Sequence, residues 1–389
     1  MSKKVKIYID GLPLVDGHFS GVGQYVLGIV KGFDELIKEQ FINGEEPLDI
    51  RVIIPYDMVD KFRKYGMKYV SYVTYPLPFR IMSGLWRRGL LVPLDLLFGR
   101  GIYIFSNFVK MPLLFSKSIL VIYDISFELY RQYSDENNAK FLSKAVRKSI
   151  KKVDKIITIS KNAKKEIVKF YNLSEDFVKV ATPATDPKLF YRRPDREIKK
   201  IKEKYDIDGD YILSLSNLEP RKNLDTLVDA YCSLPKKITN TTSLLIVGIN
   251  GWKTSLLFDK IVNKVKKGYN ITRPSKYIED EDKPAILSGA KALIYPSHYE
   301  GFGMPPLEAL ACGTPVITSN NSSLPEAVGN VGIMLDSKDT IGIAQAIKDI
   351  LNKPNRYKNI KISGPQHVKN FSWLESARVY LDTIKDISV

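Results

Sequence analysis

Short runs of β-branched and aromatic residues recur along the chain, and each is followed by a stretch whose apolar positions fall at helical spacing. Residues 5–9, 50–55, 102–105, 119–123 and 155–160 form a first series, and residues 211–215, 243–247, 269–271, 292–295 and 314–318 form a second. Strands alternating with helices in this way predict parallel sheets covered on both faces, and the rhythm occurs twice. The expected fold class is therefore α/β, with two doubly wound, Rossmann-like domains.

A charged stretch over residues 191–204 separates the two series and carries no strand pattern. The boundary is expected near residues 187–194, giving a first domain over 1–190 and a second over 191–370. The last segment places Trp373, Leu374, Ala377, Tyr380, Leu381 and Ile384 at helical spacing, which predicts an amphipathic closing helix over 371–389. No internal repeat of solenoid length and no low-complexity tract interrupts this plan.

Composition narrows the class. A chain of 389 residues with 44% hydrophobic positions is too long for one ordinary core. With 22 Tyr and 17 Phe beside 21 Pro and 24 Gly, neither disorder nor a collagen-like repeat is tenable. Cys232 and Cys312 form no CxxC pair, so a cysteine zinc site is excluded and a reducing, cytoplasmic setting is the simplest expectation. The apolar start of the chain stops at Asp10, too short for a signal peptide. The longest apolar runs, 89–98 and 119–125, are broken by Asp95 and Asp124 and fall short of the ~18–20 residues that span a bilayer.

The net charge of +16 is uneven: residues 51–200 hold 30 Lys and Arg against 14 Asp and Glu, while the remainder is nearly balanced. Nucleic acid, an anionic membrane and a polyanionic substrate are the partners such a block suggests. No zinc-finger spacing or RNA-recognition aromatic pattern is present, so no nucleic-acid partner is expected. The segment over 79–91 mixes Arg with Trp, Leu and Ile and suits peripheral contact with anionic lipid.

The chemistry concentrates in Tyr295-Pro-Ser-His-Tyr-Glu-Gly-Phe-Gly-Met-Pro-Pro-Leu-Glu, followed by Ala-Leu-Ala-Cys-Gly-Thr-Pro. A strand end, a loop with Gly301 and Gly303, and prolines at a helix start describe a strand, glycine loop and helix N-terminus in sequence. Open α/β sheets bind ligands at such junctions, where free backbone N–H groups face an anion. Glu300 and Glu308 stand eight residues apart and can face one crevice. A second element, Ser214-Leu-Ser-Asn-Leu-Glu-Pro-Arg-Lys-Asn, brings Arg221 and Lys222 together after a strand, a pairing of fork and point charge suited to two phosphates.

Together these motifs resemble the retaining glycosyltransferases of family 4, which have the two-domain GT-B fold. The resemblance implies two Rossmann-like domains facing a cleft, acceptor in the first and donor in the second, with the last helix crossing back to the first. It implies that Glu300 contacts the donor sugar, with Phe302, Gly303 and Met304 offering backbone groups, and that Glu308 holds the ribose. Arg221 and Lys222 would bind the diphosphate and stabilise it as leaving group. Asn217 lies beside them, and Ser216 stands where the family often has Gly. Tyr277 and Ile278 lie where the family lines the nucleotide-base pocket.

In the first domain Gly17-His-Phe-Ser-Gly-Val-Gly resembles the family's N-terminal glycine loop, so Gly21, Val22 and Gly23 are expected near the donor phosphates. Tyr123-Asp124 stands where relatives often have His-Asp; Asp124 matches, and Tyr123 points to altered specificity. Asp280-Glu-Asp282 imitates a metal-binding Asp-x-Asp motif but reads as an acidic helix start, and His18, His298 and His367 are too scattered for a metal. Cys312 reads as an apolar helix residue.

The implied activity is retaining transfer of a hexose from a nucleoside-diphosphate sugar, GDP-mannose or a UDP-sugar, to a hydroxyl of a glycan or lipid-linked acceptor, as in bacterial polysaccharide assembly. No metal or cofactor is expected. The expected location is cytoplasmic, with peripheral attachment to the membrane's cytoplasmic face. The alternative is a catalytically silent relative that binds nucleotide or glycan as a scaffold.

Overall fold

The structure, a computed structural model, describes residues 5–15, 20–87, 89–90 and 92–388. It contains two compact units. One comprises the chain up to Arg131, Glu136–Pro183 and the segment from Ser372 onward, and the other comprises Gln132–Asp135 and Ala184–Phe371. The change of unit at Pro183 comes a few residues before the proline-flanked stretch at 187–194. The first unit holds 31 Lys and Arg against 21 Asp and Glu and the second 28 against 22, so the basic excess is shared more evenly than its position in the sequence suggests.

The first unit is built on seven strands: β1 (Lys6–Asp10), β2 (Asp49–Pro55), β3 (Ser71–Tyr75), β4 (Ile102–Phe105), β5 (Lys117–Val121), β6 (Lys155–Thr158) and β7 (Val178–Val180). They run parallel in the order β3-β2-β1-β4-β5-β6-β7. The central strands are almost wholly buried because helices cover both faces, as their unbroken apolar character requires. The closing helix Trp373–Ser388 packs on the long helix Gly21–Ile42, as its amphipathic spacing predicts. The two approach closely at Gly28 and Gly32, where a Cβ would come within 2.2 Å of the Trp373 ring or 2.3 Å of the Trp373 carbonyl oxygen.

The second unit carries β8 (Asp210–Leu215), β9 (Thr242–Val247), β10 (Ile271–Thr272), β11 (Leu293–Tyr295), β12 (Val316–Ser319) and β13 (Ile333–Leu335). Their order is β10-β9-β8-β11-β12-β13, again all parallel. Each unit is thus doubly wound, as expected, with the strand order reversing between β1 and β4 in the first and between β8 and β11 in the second. Crevices at the carboxyl ends of such strand pairs are where open α/β sheets take ligands.

The strand pattern in the sequence did not anticipate β3, β7 or β13, and all three are sheet edges. Their residues are mostly half-exposed, and β13 has no buried residue. An edge strand has a neighbour on one side only and needs less apolar character to form.

Candidate active site

Two segments meet at the β8/β11 reversal. After β8 the chain crosses close to Gly248, where a Cβ would come within 1.8 Å of the Ser216 carbonyl oxygen. It then makes a single tight turn over Pro220–Lys222. Asn223 leaves that turn in the left-handed region at φ 55°. Its buried amide repays the cost, with Nδ2 donating to the carbonyls of Pro296 (3.0 Å) and Ser337 (2.6 Å). Arg221 and Lys222 are thereby fixed to the loop that follows β11.

That loop runs from Pro296 to Gly303 and enters the helix Met304–Ala311 with Pro305 and Pro306 in its first turn. Gly303 sits at φ 116°, and a Cβ there would come within 2.8 Å of Leu324 Cδ2, so both conformation and space demand glycine. The buried hydroxyl of Ser323 can donate to the carbonyls of Glu300 (2.8 Å) and Phe302 (3.0 Å), and Ser322 Oγ accepts from the Glu300 N–H at 3.0 Å.

Four charged side chains interlock here. Glu300 accepts from Lys222 Nζ at 2.7 Å through one oxygen and from Arg221 Nη1 at 2.8 Å through the other. Arg221 Nη2 reaches Glu219 at 2.6 Å, Arg221 Nη1 also donates to the Tyr299 carbonyl at 2.8 Å, and Lys222 donates to the Tyr295 hydroxyl at 2.8 Å. Glu219, Lys222 and Glu300 are buried. Burial alone would push the Glu300 carboxyl up, but Arg221 and Lys222 overcome it and hold it at about 2. Lys222 is pushed the other way, lowered by burial and by the neighbouring guanidinium more than its carboxylate partners raise it. Removing one member of such a buried cluster strands the others, at a cost of about 3–5 kcal/mol.

Glu308 lies in the helix that follows, 5% exposed, its carboxylate making no hydrogen bond or ion pair to any described residue. Burial pushes its carboxyl up to about 7, Lys283 offsetting part of that rise and Asp280 adding to it. Lys283 itself is ion-paired with Asp280.

The other expected donor-site residues divide by exposure. Asn217 and Tyr277 are exposed, Met304 is half-buried, and Ile278 and Phe302 are buried. The Phe302 ring packs edge-on against Phe371 at 5.5 Å. Asp280 and Asp282 are held by Lys283 and Lys204, the latter pair at 2.5 Å, and Asp282 also accepts from the Tyr205 hydroxyl at 2.7 Å. Among the described residues no group of three or more His, Cys, Asp or Glu is placed to hold a metal ion. Cys312 is buried, its thiol pushed up to about 12 by that burial.

In the first unit, Gly21, Val22 and Gly23 are the first turn of the helix Gly21–Ile42 and not a loop before it. The Ser20 side chain caps that turn, accepting from the Gly23 N–H at 3.3 Å, which draws the glycines into the helix. Gly17, His18 and Phe19 lie outside the described residues. Tyr123 is buried and packed edge-on against Tyr25 at 5.3 Å, and its hydroxyl donates to the Ser106 carbonyl at 2.7 Å. Asp124 Oδ1 accepts from the Ser126 N–H at 2.8 Å.

Sequence reasoning missed Glu219, Tyr295, Asn223 and Ser323, all of which hold the charged cluster in place. Glu219 and Asn223 flank the Pro-Arg-Lys run and Tyr295 ends the strand before the glycine loop, so adjacency was the available signal. Ser323 had none.

The profile of the family "Glycosyl transferases group 1" matches residues 195–367, which include this entire cluster. The chain is 31% identical over 273 residues to O-antigen chain mannosyltransferase B of Escherichia coli, covering 70% of this chain and 71% of that protein. It is 26% identical to the Escherichia coli serotype-specific mannosyltransferase WbdA, of which it spans only 33%. Among solved structures, Anabaena HepE in complex with UDP and glucose superposes with a TM-score of 0.70 over 98% of this chain and 100% of that one at 13% identity. WaaG, a glycosyltransferase of lipopolysaccharide biosynthesis, superposes at 0.66 over 98% and 99% at 16% identity.

Proposed function

The chain belongs to the group 1 glycosyl transferases and is a nucleotide-sugar glycosyltransferase, and on that premise we propose that it transfers a mannosyl residue, with retention, to a hydroxyl of a glycan or lipid-linked acceptor. GDP-mannose is the favoured donor and a UDP-sugar the second choice, since the two Escherichia coli relatives are named as mannosyltransferases.

The observation that carries this reading is the buried cluster of Glu219, Arg221, Lys222 and Glu300. Its two cations and two carboxylates balance, so Glu219 and Glu300 hold Arg221 and Lys222 in place ahead of the donor. A diphosphate arriving at the β8/β11 crevice competes for the same N–H groups and frees Glu300, already ionised, to accept hydroxyls of the sugar. Glu308 receives the ribose hydroxyls. Asn217, the backbone of Phe302, Gly303 and Met304, and the segment of Tyr277 and Ile278 complete the donor site. In the first unit, Gly21, Val22, Gly23 and the carboxylate of Asp124 are assigned to the donor and reacting groups, and Tyr123 to an altered specificity.

In the transfer the bond from C1 to the phosphate oxygen breaks, the acceptor oxygen bonds to C1 on the same face, and the departing phosphate takes the acceptor's proton. Arg221 and Lys222 neutralise the charge that develops on that phosphate, so no metal or cofactor is invoked. The protein would act in the cytoplasm, peripherally attached to the membrane that carries its acceptor.

Incubation with a panel of nucleotide sugars and candidate acceptors tests the reading, following nucleoside-diphosphate release and the anomeric configuration of the product by NMR. Release of GDP with an α-linked mannosyl product is expected. No diphosphate release from any donor, or an inverted product, would overturn it.

A further inference from the structure

Leu114 and Phe115 lie in the loop between β4 and β5 and are 58% and 62% exposed. Beside them the short helix Leu94–Leu97 turns Leu96 (57% exposed) and Leu97 (38%) to solvent. The backbone that carries them is firmly tied. The buried carboxylate of Asp95 accepts from the N–H groups of Leu114 (3.0 Å), Phe115 (2.7 Å) and Ser116 (2.9 Å), and Leu94 N–H donates to the Pro112 carbonyl at 3.0 Å. Burial raises the Asp95 carboxyl, but those three amides outweigh it and leave it lowered, so it stays ionised and clamped. A buried charge is thus committed to the backbone that presents a leucine and a phenylalanine outward.

Arg100 stands over the Phe115 ring at 5.1 Å. From residue 79 to 100 the chain has Arg80, Arg87, Arg88 and Arg100 and a single acidic residue, Asp95, which is buried and spent on the amides. An apolar tip with Arg100 over its aromatic ring, in a stretch of chain rich in arginine whose one carboxylate is already engaged, fits the boundary between headgroups and acyl chains of an anionic bilayer.

We propose that Leu96, Leu97, Leu114 and Phe115, held by Asp95 and flanked by Arg100, form the surface by which this protein inserts into anionic lipid. This rests on the peripheral attachment proposed above and names the element that makes it. A protein partner offers neither the lipid phosphates nor the uniform apolar depth that this pairing of cations and protruding side chains matches.

The test uses the full chain, co-sedimented with vesicles of phosphatidylcholine alone or mixed with phosphatidylglycerol. Three proteins are compared: wild type, L114S/F115S, and F115W as a fluorescent reporter. Wild type should prefer the acidic vesicles. L114S/F115S should bind them about tenfold or more weakly, with an unchanged thermal midpoint because both side chains are exposed. The F115W emission should shift to the blue on adding acidic vesicles. If wild type ignores acidic vesicles, peripheral attachment itself fails. If wild type and L114S/F115S bind them equally, attachment stands and this surface is overturned. An unshifted F115W emission during binding, the tip staying in water or meeting something other than lipid, overturns it as well.

Discussion

The two sheets share one strand order through their first six positions, yet their crevices are furnished in opposite ways. At the β8/β11 reversal four charged side chains are interlocked, two cations with two carboxylates. At the corresponding β1/β4 reversal stands Asp10, 6% exposed, accepting from the Leu12 N–H at 3.1 Å with no basic partner among the described residues. Beside it Ser106 Oγ donates to the Asp10 carbonyl at 2.7 Å, and the Tyr123 hydroxyl in turn donates to the Ser106 carbonyl. Burial pushes the Asp10 carboxyl up to about 6, against the opposing pull of Leu12 and Ser106, whereas the cations bring Glu300 down to about 2. One backbone plan thus gives one crevice whose described residues gather two cations with two carboxylates and one whose described residues offer a lone carboxylate. Fold supplies the location, and the side chains at the strand ends decide what enters.

The largest break in that contrast should come from Lys222→Ala. It removes the cation nearest Glu300 and should lower kcat by about a thousandfold at saturating donor, the scale of losing a group that stabilises developing charge. Steady-state turnover, with a thermal scan to confirm folding, checks it. Glu300→Gln keeps the shape but weakens the hold on Arg221, Lys222 and the sugar. A loss of about a hundredfold in kcat/KM is expected, read from the same assay.

Glu308 sharpens the comparison through pH. On the proposed role the ribose hydroxyls need the ionised carboxylate, so donor KM should rise as pH falls below about 7, and Glu308→Gln should flatten that profile at a uniformly higher KM. Stability has the opposite sign. A carboxyl raised to about 7 binds its proton more tightly in the folded chain, so its contribution to stability falls as pH rises from the ordinary value of 4.5 through 7. Glu308→Gln should therefore be more stable than wild type at pH 8, by at most about 3 kcal/mol, and indistinguishable at pH 4.5.

Asp10→Asn is the smallest. Its carboxyl, raised to about 6, also costs stability once ionised, so the substitution should raise the thermal midpoint by a few degrees at pH 8 and not at pH 4. It should leave nucleoside-diphosphate affinity unchanged. A loss there as large as that from Lys222→Ala would erase the distinction between the two crevices.

Legibility in the sequence followed burial and locality. Central strands such as β1, β4 and β9 announce themselves because both faces are covered, whereas the unforeseen edges β3, β7 and β13 carry residues such as Ser71, Thr74 and Lys179 that a half-covered strand tolerates. The candidate site motifs were readable because Pro220-Arg-Lys-Asn and Glu300 through Glu308 are each contiguous. Their union was not, since Lys222 and Glu300 meet across 78 residues of chain and only the sheet brings β8 beside β11. The first unit was harder still. Ser20 was not recognised as a cap that draws Gly21–Gly23 into a helix, and the Tyr123 hydroxyl is engaged by Ser106, whose proximity depends on tertiary pairing.

The central claim is that Arg221 and Lys222, at the crevice of the second unit, receive the donor's diphosphate. Calorimetric titration of GDP and of UDP into wild type, Lys222→Ala and Asp10→Asn addresses it directly. One nucleotide should bind wild type and Asp10→Asn alike, and Lys222→Ala at least about tenfold more weakly, the loss of one charge-assisted phosphate contact. Equal affinity of Lys222→Ala and wild type for that nucleotide would contradict the account.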